Sequence, residues 1–503
     1  MMTVKFYKVI ESIFIVLYLG HTHLTYSSIL CKTGSSRHLN RICGSKNESY
    51  SYKNSDGIGF QNVSEKRIFR IFARKKTDFG RMKRALTIII AALAAVSVAG
   101  KEPVGSDISE KKDTSSLRKL INHLVEDEVS EQMANMPNVE VGKGISFSPK
   151  DNSFKTTLRF RMQNMAEIEF DKDFNTTETD GQVKRLRLRF DGFIFSPKFL
   201  YSIQLGFTGS DAKPTPNGKS NLILDAIAYY KPNASFNLGF GQAKVKANRA
   251  ALNSSGALQF VDRSIVNSEF GGDRDFGFFG EYHYGGIDRF GLSALASVTM
   301  GEGRNWGASS SSGLAYTGRL ELFPMGRFHA KGEYIEGDTQ FEETPKLMLG
   351  GGCTFDHHAQ LTRGMKGSML PDGETRSICG YYADMIFKYR GFAVNADYMG
   401  RHASTPTFSD GTFIYNGSGV NVQASYLFNR KWEVAVRNSS MFPDSEIRAL
   451  AGYKLWNQST LGITRYIIGH SLKVQLDLSY NTRTEAVSPY DRLAVRFQLE
   501  LGL

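Results

Sequence analysis

Three arginines, Arg185, Arg187 and Arg189, stand two apart in the stretch VKRLRLRFDGFIF (Val183 to Phe195), with Leu186, Leu188 and Phe190 between and after them. A period of two places all three guanidinium groups on one face of a strand and the apolar residues on the other. The stretch FKTTLRFRMQ just before it does the same, setting Lys155, Arg159 and Arg161 against Leu158, Phe160 and Met162. Two successive strands therefore offer five arginines on one wall. Guanidinium stays charged at physiological pH, presents several N–H donors and matches phosphate or carboxylate in a bidentate way. The chemistry it supports here is reversible anion binding, weak enough in water to let the ion leave. The alternative is that these arginines pair with carboxylates such as Asp191, Asp225 or Glu321 and fill a polar interior.

A second candidate is KVKANRAALNSSGALQFVDRSIVNSEFGGDRDFG, Lys244 to Gly277. It carries Lys244, Lys246, Arg249, Arg263 and Arg274 against Asp262, Glu269, Asp273 and Asp275. Its apolar ALQFV argues against a loop bathed on all sides by solvent. The expectation is a constriction loop that turns inward.

Other chemistries find little footing. A hydrolase needs a nucleophile with a positioned base, and no G-x-S-x-G is present. Neither H-E-x-x-H nor a phosphate-cradling P-loop occurs. His357 and His358 are adjacent in an expected loop, where solvation is the ordinary fate. The four cysteines, Cys31, Cys43, Cys353 and Cys379, form no C-x-x-C pair. No catalytic residue, metal site or cofactor is expected, and whether Cys353 and Cys379 pair is left open.

The elements that would hold the arginines follow from repetition. From about Ser153 onward, segments of roughly ten residues alternate apolar and polar between turn residues, the pattern of a transmembrane β-barrel. SIQLGFTG, GVNVQASYLF, LKVQLDLSY and RLAVRFQLELGL are clear cases. Expected tight turns fall at 196–198, 231–233, 285–288, 389–391, 429–431 and 468–470. Long connectors fall at 171–182, 209–220, 245–273, 301–312, 357–377, 401–417 and 441–458. One connector, 325–344, sits on the tight-turn side yet is long and acidic. The fold expected is all-β, a sixteen-stranded antiparallel transmembrane barrel over residues 153–503. With lipid outside, the arginines must face the lumen, because a cation on the lipid face at mid-bilayer costs about 2–4 kcal/mol. A soluble β-sandwich would leave the arginine strand and the repeated outward apolar stripes without a reason. A general or carbohydrate channel would want aromatic slides, and Tyr382 and Trp306 are too scattered to make one.

The chain of 503 residues has a net charge of +12, which would tempt a nucleic-acid reading. Residues 1–99 hold 16 Lys/Arg against 5 Asp/Glu, leaving the remainder near neutral at +1. MKRALTIIIAALAAVSVAG, Met82 to Gly100, has a basic head, an apolar run too short to span a bilayer as a helix and small residues at a cleavage position. We read 82–99 as a signal peptide cut after Ala99, and 1–81 as an upstream extension preceding the true start at Met82, with no fold assigned. Residues 100–152 read as a polar, partly helical or disordered periplasmic segment, with Leu117, Leu120, Ile121, Leu124 and Val125 at helical spacing.

The stretches VKRLRLRFDGFIFSPKFLYSIQLGF, GFGQAKV, ALQFVDRSIVNSEF and TLGITRYIIGHSLKVQLDLSY resemble the phosphate-selective porin O and P family, and the resemblance runs from Ser153 to Leu503. It implies a usually trimeric Gram-negative outer-membrane channel, with the third loop folded inward and an arginine ladder that passes small inorganic anions, phosphate or polyphosphate among them. Arg185, Arg187 and Arg189 match the ladder strand, and Arg249 and Arg263 fall in the loop region. The implied surroundings are lipid, lipopolysaccharide and further copies of the chain, with no nucleic acid. The signal reading predicts that protein isolated from membranes begins at Gly100. Intact mass and N-terminal sequencing would check this, and a mature chain retaining residues before Met82 would refute it.

Overall fold

Hydrogen bonding of the last strand to the first is what turns this sheet into a cylinder. The computed structural model describes residues 138–214, 221–305, 313–371, 373–488 and 490–503. The wall strands are β3 (Phe154–Phe170), β4 (Thr176–Ile194), β5 (Ser196–Gly206), β6 (Ile223–Tyr230), β7 (Phe236–Lys244), β8 (Arg274–Gly286), β9 (Arg289–Thr299), β10 (Ala315–Phe323), β11 (Lys346–Ala359), β12 (Arg376–Tyr389), β13 (Phe392–Ala403), β14 (Gly417–Phe428), β15 (Trp432–Pro443), β16 (Leu455–Ile468), β17 (Leu472–Thr484) and β18 (Asp491–Gly502). Each pairs antiparallel with the next. β18 closes on β3, from Leu493 opposite Phe170 to Gly502 opposite Arg161. The expected closed barrel of sixteen antiparallel strands is therefore what forms.

Two short strands precede the wall: β1 (Asn138–Gly142) and β2 (Gly144–Ser148). They pair with each other, and β2 pairs with β3 at residues 156–158, just beyond the end of β18. The sequence reading left these residues in a polar or helical segment, because five-residue alternations are too short to stand out. Pairing with the free edge of β3 is what makes them strands. Gly144, the first residue of β2, has φ +113, and a Cβ there would lie 2.6 Å from the Leu158 carbonyl oxygen. The expected helix around Leu117, the segments 1–81 and 82–99, Cys31, Cys43 and Trp306 all lie outside the described residues.

Burial is inverted relative to a soluble sheet. In β17, Leu476, Leu478 and Tyr480 are exposed, while Lys473, Gln475, Asp477 and Ser479 are buried. In β14, Val420, Val422 and Tyr426 are exposed, while Asn421, Gln423 and Ser425 are buried. Such a wall is stable only with hydrocarbon outside and polar contents inside.

Short turns gather at one end: Phe195 alone (φ +62), and residues 231–235, 287–288, 390–391, 429–431 and 469–471. The other end carries longer loops, among them 245–273, 404–416 and 444–454. The first loop is shorter than expected, only 171–175, because β3 and β4 keep pairing out to Phe170 and Thr176. Cys353 and Cys379 are both free and exposed.

Leu461, Leu478 and Val495 make one cross-strand apolar row on the outside. Leu478→Arg should cost about 2–4 kcal/mol, while Leu478→Tyr should be close to neutral. Equilibrium unfolding in lipid vesicles measures both, and equal stabilities would contradict the outward assignment.

Candidate functional site: the inward loop and the arginine wall

On the β3–β4 wall the arginines face one another across the strand pair. Arg159 lies opposite Arg189, Arg161 opposite Arg187, and Gln163 opposite Arg185. Like charges directly opposed destabilise a sheet, so the local charge needs partners. Asp191 accepts from Arg159 and is in ion-pair contact with Arg189 at 3.1 Å. Glu500 pairs with Arg161 at 3.2 Å. Lys155 pairs with Glu140 of β1 at 2.8 Å. Arg187 has no carboxylate partner among the described residues. One of its N–H groups donates to Ser255 Oγ at 3.2 Å, and its buried Nε has no hydrogen-bond partner. Exposure rises down the ladder, from 11% for the Arg185 side chain to 46% for Arg189.

Strict alternation would turn Lys184 to the outside, but the pairing register slips between Gln163 and Asn164. Lys184 is the extra residue of this bulge, and bulges re-aim side chains. It joins Arg185 on a single carboxylate, with Asp262 at 2.9 Å from Lys184 and 3.2 Å from Arg185.

Asp262 belongs to the loop 245–273, which crosses the lumen. Arg161 and Arg187 donate to Ser254 and Ser255 on its near side. On its far side, Lys473 and Gln475 donate to the Leu258 carbonyl, the Val261 N–H donates to Asp477, and the Gln259 amide donates to Glu433 at 2.8 Å. Two glycines of the far wall make room for the loop. A Cβ at Gly462 would meet the Phe260 ring at 2.9 Å, and one at Gly419 would meet Val266 at 2.9 Å. The helix Ile265–Phe270 buries Val266 and Phe270 against Met399, Tyr415 and Met441 of the wall and its loops. This explains why ALQFV is apolar inside a polar lumen.

The five expected loop cations divide into two kinds. Lys246 pairs with Glu281 (2.9 Å), Arg249 with Asp397 (3.4 Å) and Arg274 with Asp225 (2.7 Å). These are ion pairs of the kind the alternative reading foresaw. Lys244 and Arg263 instead donate to backbone carbonyls of the same loop: Lys244 to Ala251, Leu252 and Asn253, and Arg263 to Ala250 and Asn253. Lys244 and Arg274 also prove to be the last residue of β7 and the first of β8, because strand pairing continues one turn higher than the sequence pattern showed. Burial, together with nearby Arg185, pushes the Arg263 guanidinium down to about 10, so it remains a cation at neutral pH. Arg187, Lys244 and Arg263 are mutual electrostatic neighbours. Where the loop meets the arginine wall, none of the three has a carboxylate in ion-pair contact among the described residues, and Asp211, Asp225 and Asp262 act on them only at longer range.

Sequence reading missed three things. It did not find Gln163, which bridges Arg185, Ser255 and Glu500. It did not see that the connector after β10 enters the barrel. It also passed over His402, Asp444 and Glu446, exposed residues at the long-loop end whose ligand atoms lie within 4.8 Å of one another. Their distance in sequence hid them.

Asp262 fastens the loop to the ladder. Burial would raise its carboxyl, but Arg185 and Lys184 override this and hold it well below the usual carboxylate range. The stability it contributes is therefore present above about pH 4 and is lost as pH falls toward that lowered value. Asp262→Asn should cost about 2 kcal/mol, the buried-pair figure discounted for partial exposure, and should flatten stability between pH 4 and 2. Thermal unfolding across that range checks it. Equal acid sensitivity in both proteins would refute the clasp.

No curated protein matches the chain. Among solved structures it is similar to the anion-selective porin from Comamonas acidovorans, at 10% identity over 70% of this chain and 100% of that one, with a TM-score of 0.45. It is also similar to the outer membrane channel DcaP of Acinetobacter baumannii, at 14% identity over 71% and 99% of the two chains, with a TM-score of 0.43. Residues 154–341, which carry both the arginine strand and the inward loop, match the family described as phosphate-selective porin O and P, the family that VKRLRLRF and FVDRSIVN resemble.

Proposed function

We propose that this barrel is a passive porin for small anions, phosphate or polyphosphate among them, whose path runs along the arginines of β3 and β4. Family and fold point to a channel of a Gram-negative outer membrane rather than to an enzyme. The anion preference is supported by one observation above all: Arg187, Lys244 and Arg263 have no carboxylate partner among the described residues, while the other cations of the same loop do. A cation without a fixed counter-charge in a low-dielectric wall concentrates mobile anions. Arg159, Arg161 and Arg189 extend the positive strip toward the short-turn end, where their side chains are a third to a half exposed. Asp191 tempers the strip, so an anion is drawn in without being held.

The chain works, in this reading, as a homotrimer in lipid and lipopolysaccharide. A carbohydrate channel gains no support from Tyr382, whose hydroxyl is tied to the Phe270 carbonyl at 3.3 Å. Changing Arg185, Arg187 and Arg189 together to Ala should lower the anion-to-cation permeability ratio about threefold or more, with the barrel still folded. Arg187→Ala alone should account for a large part of it. Planar-bilayer reversal potentials in chloride, phosphate and pyrophosphate gradients measure this, and an unchanged ratio would reduce the ladder to polar filling.

A further inference from the structure

We infer that the connector 324–345 is a second constriction element, which enters from the short-turn end, locks onto the inward loop through Glu336 and confines permeation to the arginine wall. The inference rests on the porin reading above. The other six turns at that end are five residues or shorter, so a long insertion here has to have somewhere to go. Its buried contacts show where. Phe328 packs with Phe323, Met348 and Ile386 inside the short-turn mouth. The Tyr334 hydroxyl lies 2.8 Å from both carboxylate oxygens of Glu321 on β10. Lys388 of β12 donates to the carbonyls of Gly332 and Gly337 at 2.8 and 2.7 Å. Asn395 of β13 donates to the Glu336 carbonyl at 3.2 Å. A Cβ on Gly337 would lie 2.2 Å from Glu433 of β15, so the strap is pressed to that wall.

The strap then meets the inward loop in a reciprocal pair. The Glu336 N–H donates to the Ala257 carbonyl at 3.2 Å, and the Gln259 N–H donates to the Glu336 carboxylate at 3.0 Å. Asp338 holds the strap's own return, accepting from the N–H groups of Glu342 and Gly391. Two elements entering from opposite ends are thus hydrogen-bonded at Glu336, across the β10–β17 side, and the loop helix Arg249–Leu252 also lies against residues 329–334 of the strap.

The consequence is an asymmetric lumen. The inward side chains Lys388, Asn395, Glu433 and Lys473 on the far wall are at most 1% exposed. Those of Arg159 and Arg189 are 37% and 46% exposed. Free space therefore reaches the β3–β4 wall at Arg159 and Arg189, while Gln163 and Arg185 farther along the same wall are buried. Glu336 is a positioning residue: it touches no ion, and it keeps the loop seated on the far side.

Single-channel recording in planar bilayers tests this with three variants. Replacing residues 327–344 by a two-residue turn should raise conductance about twofold or more and admit larger polyethylene glycols. Glu336→Ala should flicker between the parental and the larger level. Glu336→Gln, whose amide oxygen still accepts from Gln259, should behave as the parent. A deletion variant that forms heat-modifiable barrels with parental conductance and polymer cut-off would overturn the inference. If that variant does not fold, a steady parental trace from Glu336→Ala overturns it. Conductance that rises on deletion in a channel without anion preference would uphold the strap and refute the anion reading instead.

Discussion

Hydrocarbon offers a backbone no hydrogen-bond partner, and everything else in this structure follows from that. An open sheet would leave two edges of unpaired N–H and C=O groups in the membrane, each costing several kcal/mol. The pairing of β18 with β3 removes both edges, and the chain end adds to the seam, with the Leu503 N–H on the Phe160 carbonyl. Once the wall is closed, the pleat sends alternate side chains inside. The same alternation that gives lipid its Leu, Val, Phe and Tyr also commits Arg, Lys, Asp and Gln to the interior.

An interior so filled has to balance its charge. On most of the circumference the wall and the inserted loop do this together, as with Arg319 bridging Glu321 and Asp384 at 2.9 and 2.7 Å. The β3–β4 wall is the exception. Its arginines oppose each other across the pair, two share Asp191, and Arg187 is left with a serine hydroxyl. Ion pairing is a stabilising device where it is complete. Where it is incomplete, the leftover charge is available to whatever moves through the water beside it.

The loop and the strap show how far a wall pattern can be read. ALQFV is apolar because Phe260 and its neighbours fill hollows over Gly462 and Gly419, and its composition alone told it apart from a solvated loop. The strap could be seen as an irregularity, long and acidic in a place for a tight turn. Its route could not be seen, because Lys388 and Asn395, which hold it, are scattered along the chain and look like any other inward polar residues, and the Ala257 carbonyl that it reaches is a backbone group with no sequence signature. Lys184 fooled the period-two pattern because one bulge resets the count. Lys244 and Arg274 appeared to belong to the loop because strand ends are set by pairing rather than by residue type.

Period-two alternation is a local property, dictated by which side of each strand meets oil and which meets water. That is why strand number, closure, the inward arginine face and the presence of an apolar inward loop were already written in the order of residues. Which cation finds which carboxylate depends on residues tens to hundreds of positions apart meeting across a lumen. Only the folded barrel decided that Asp191 takes two arginines, that Asp262 clasps Lys184 with Arg185, and that Glu336 joins the strap to the loop, since electrostatic and hydrogen-bond partners are chosen by distance in space.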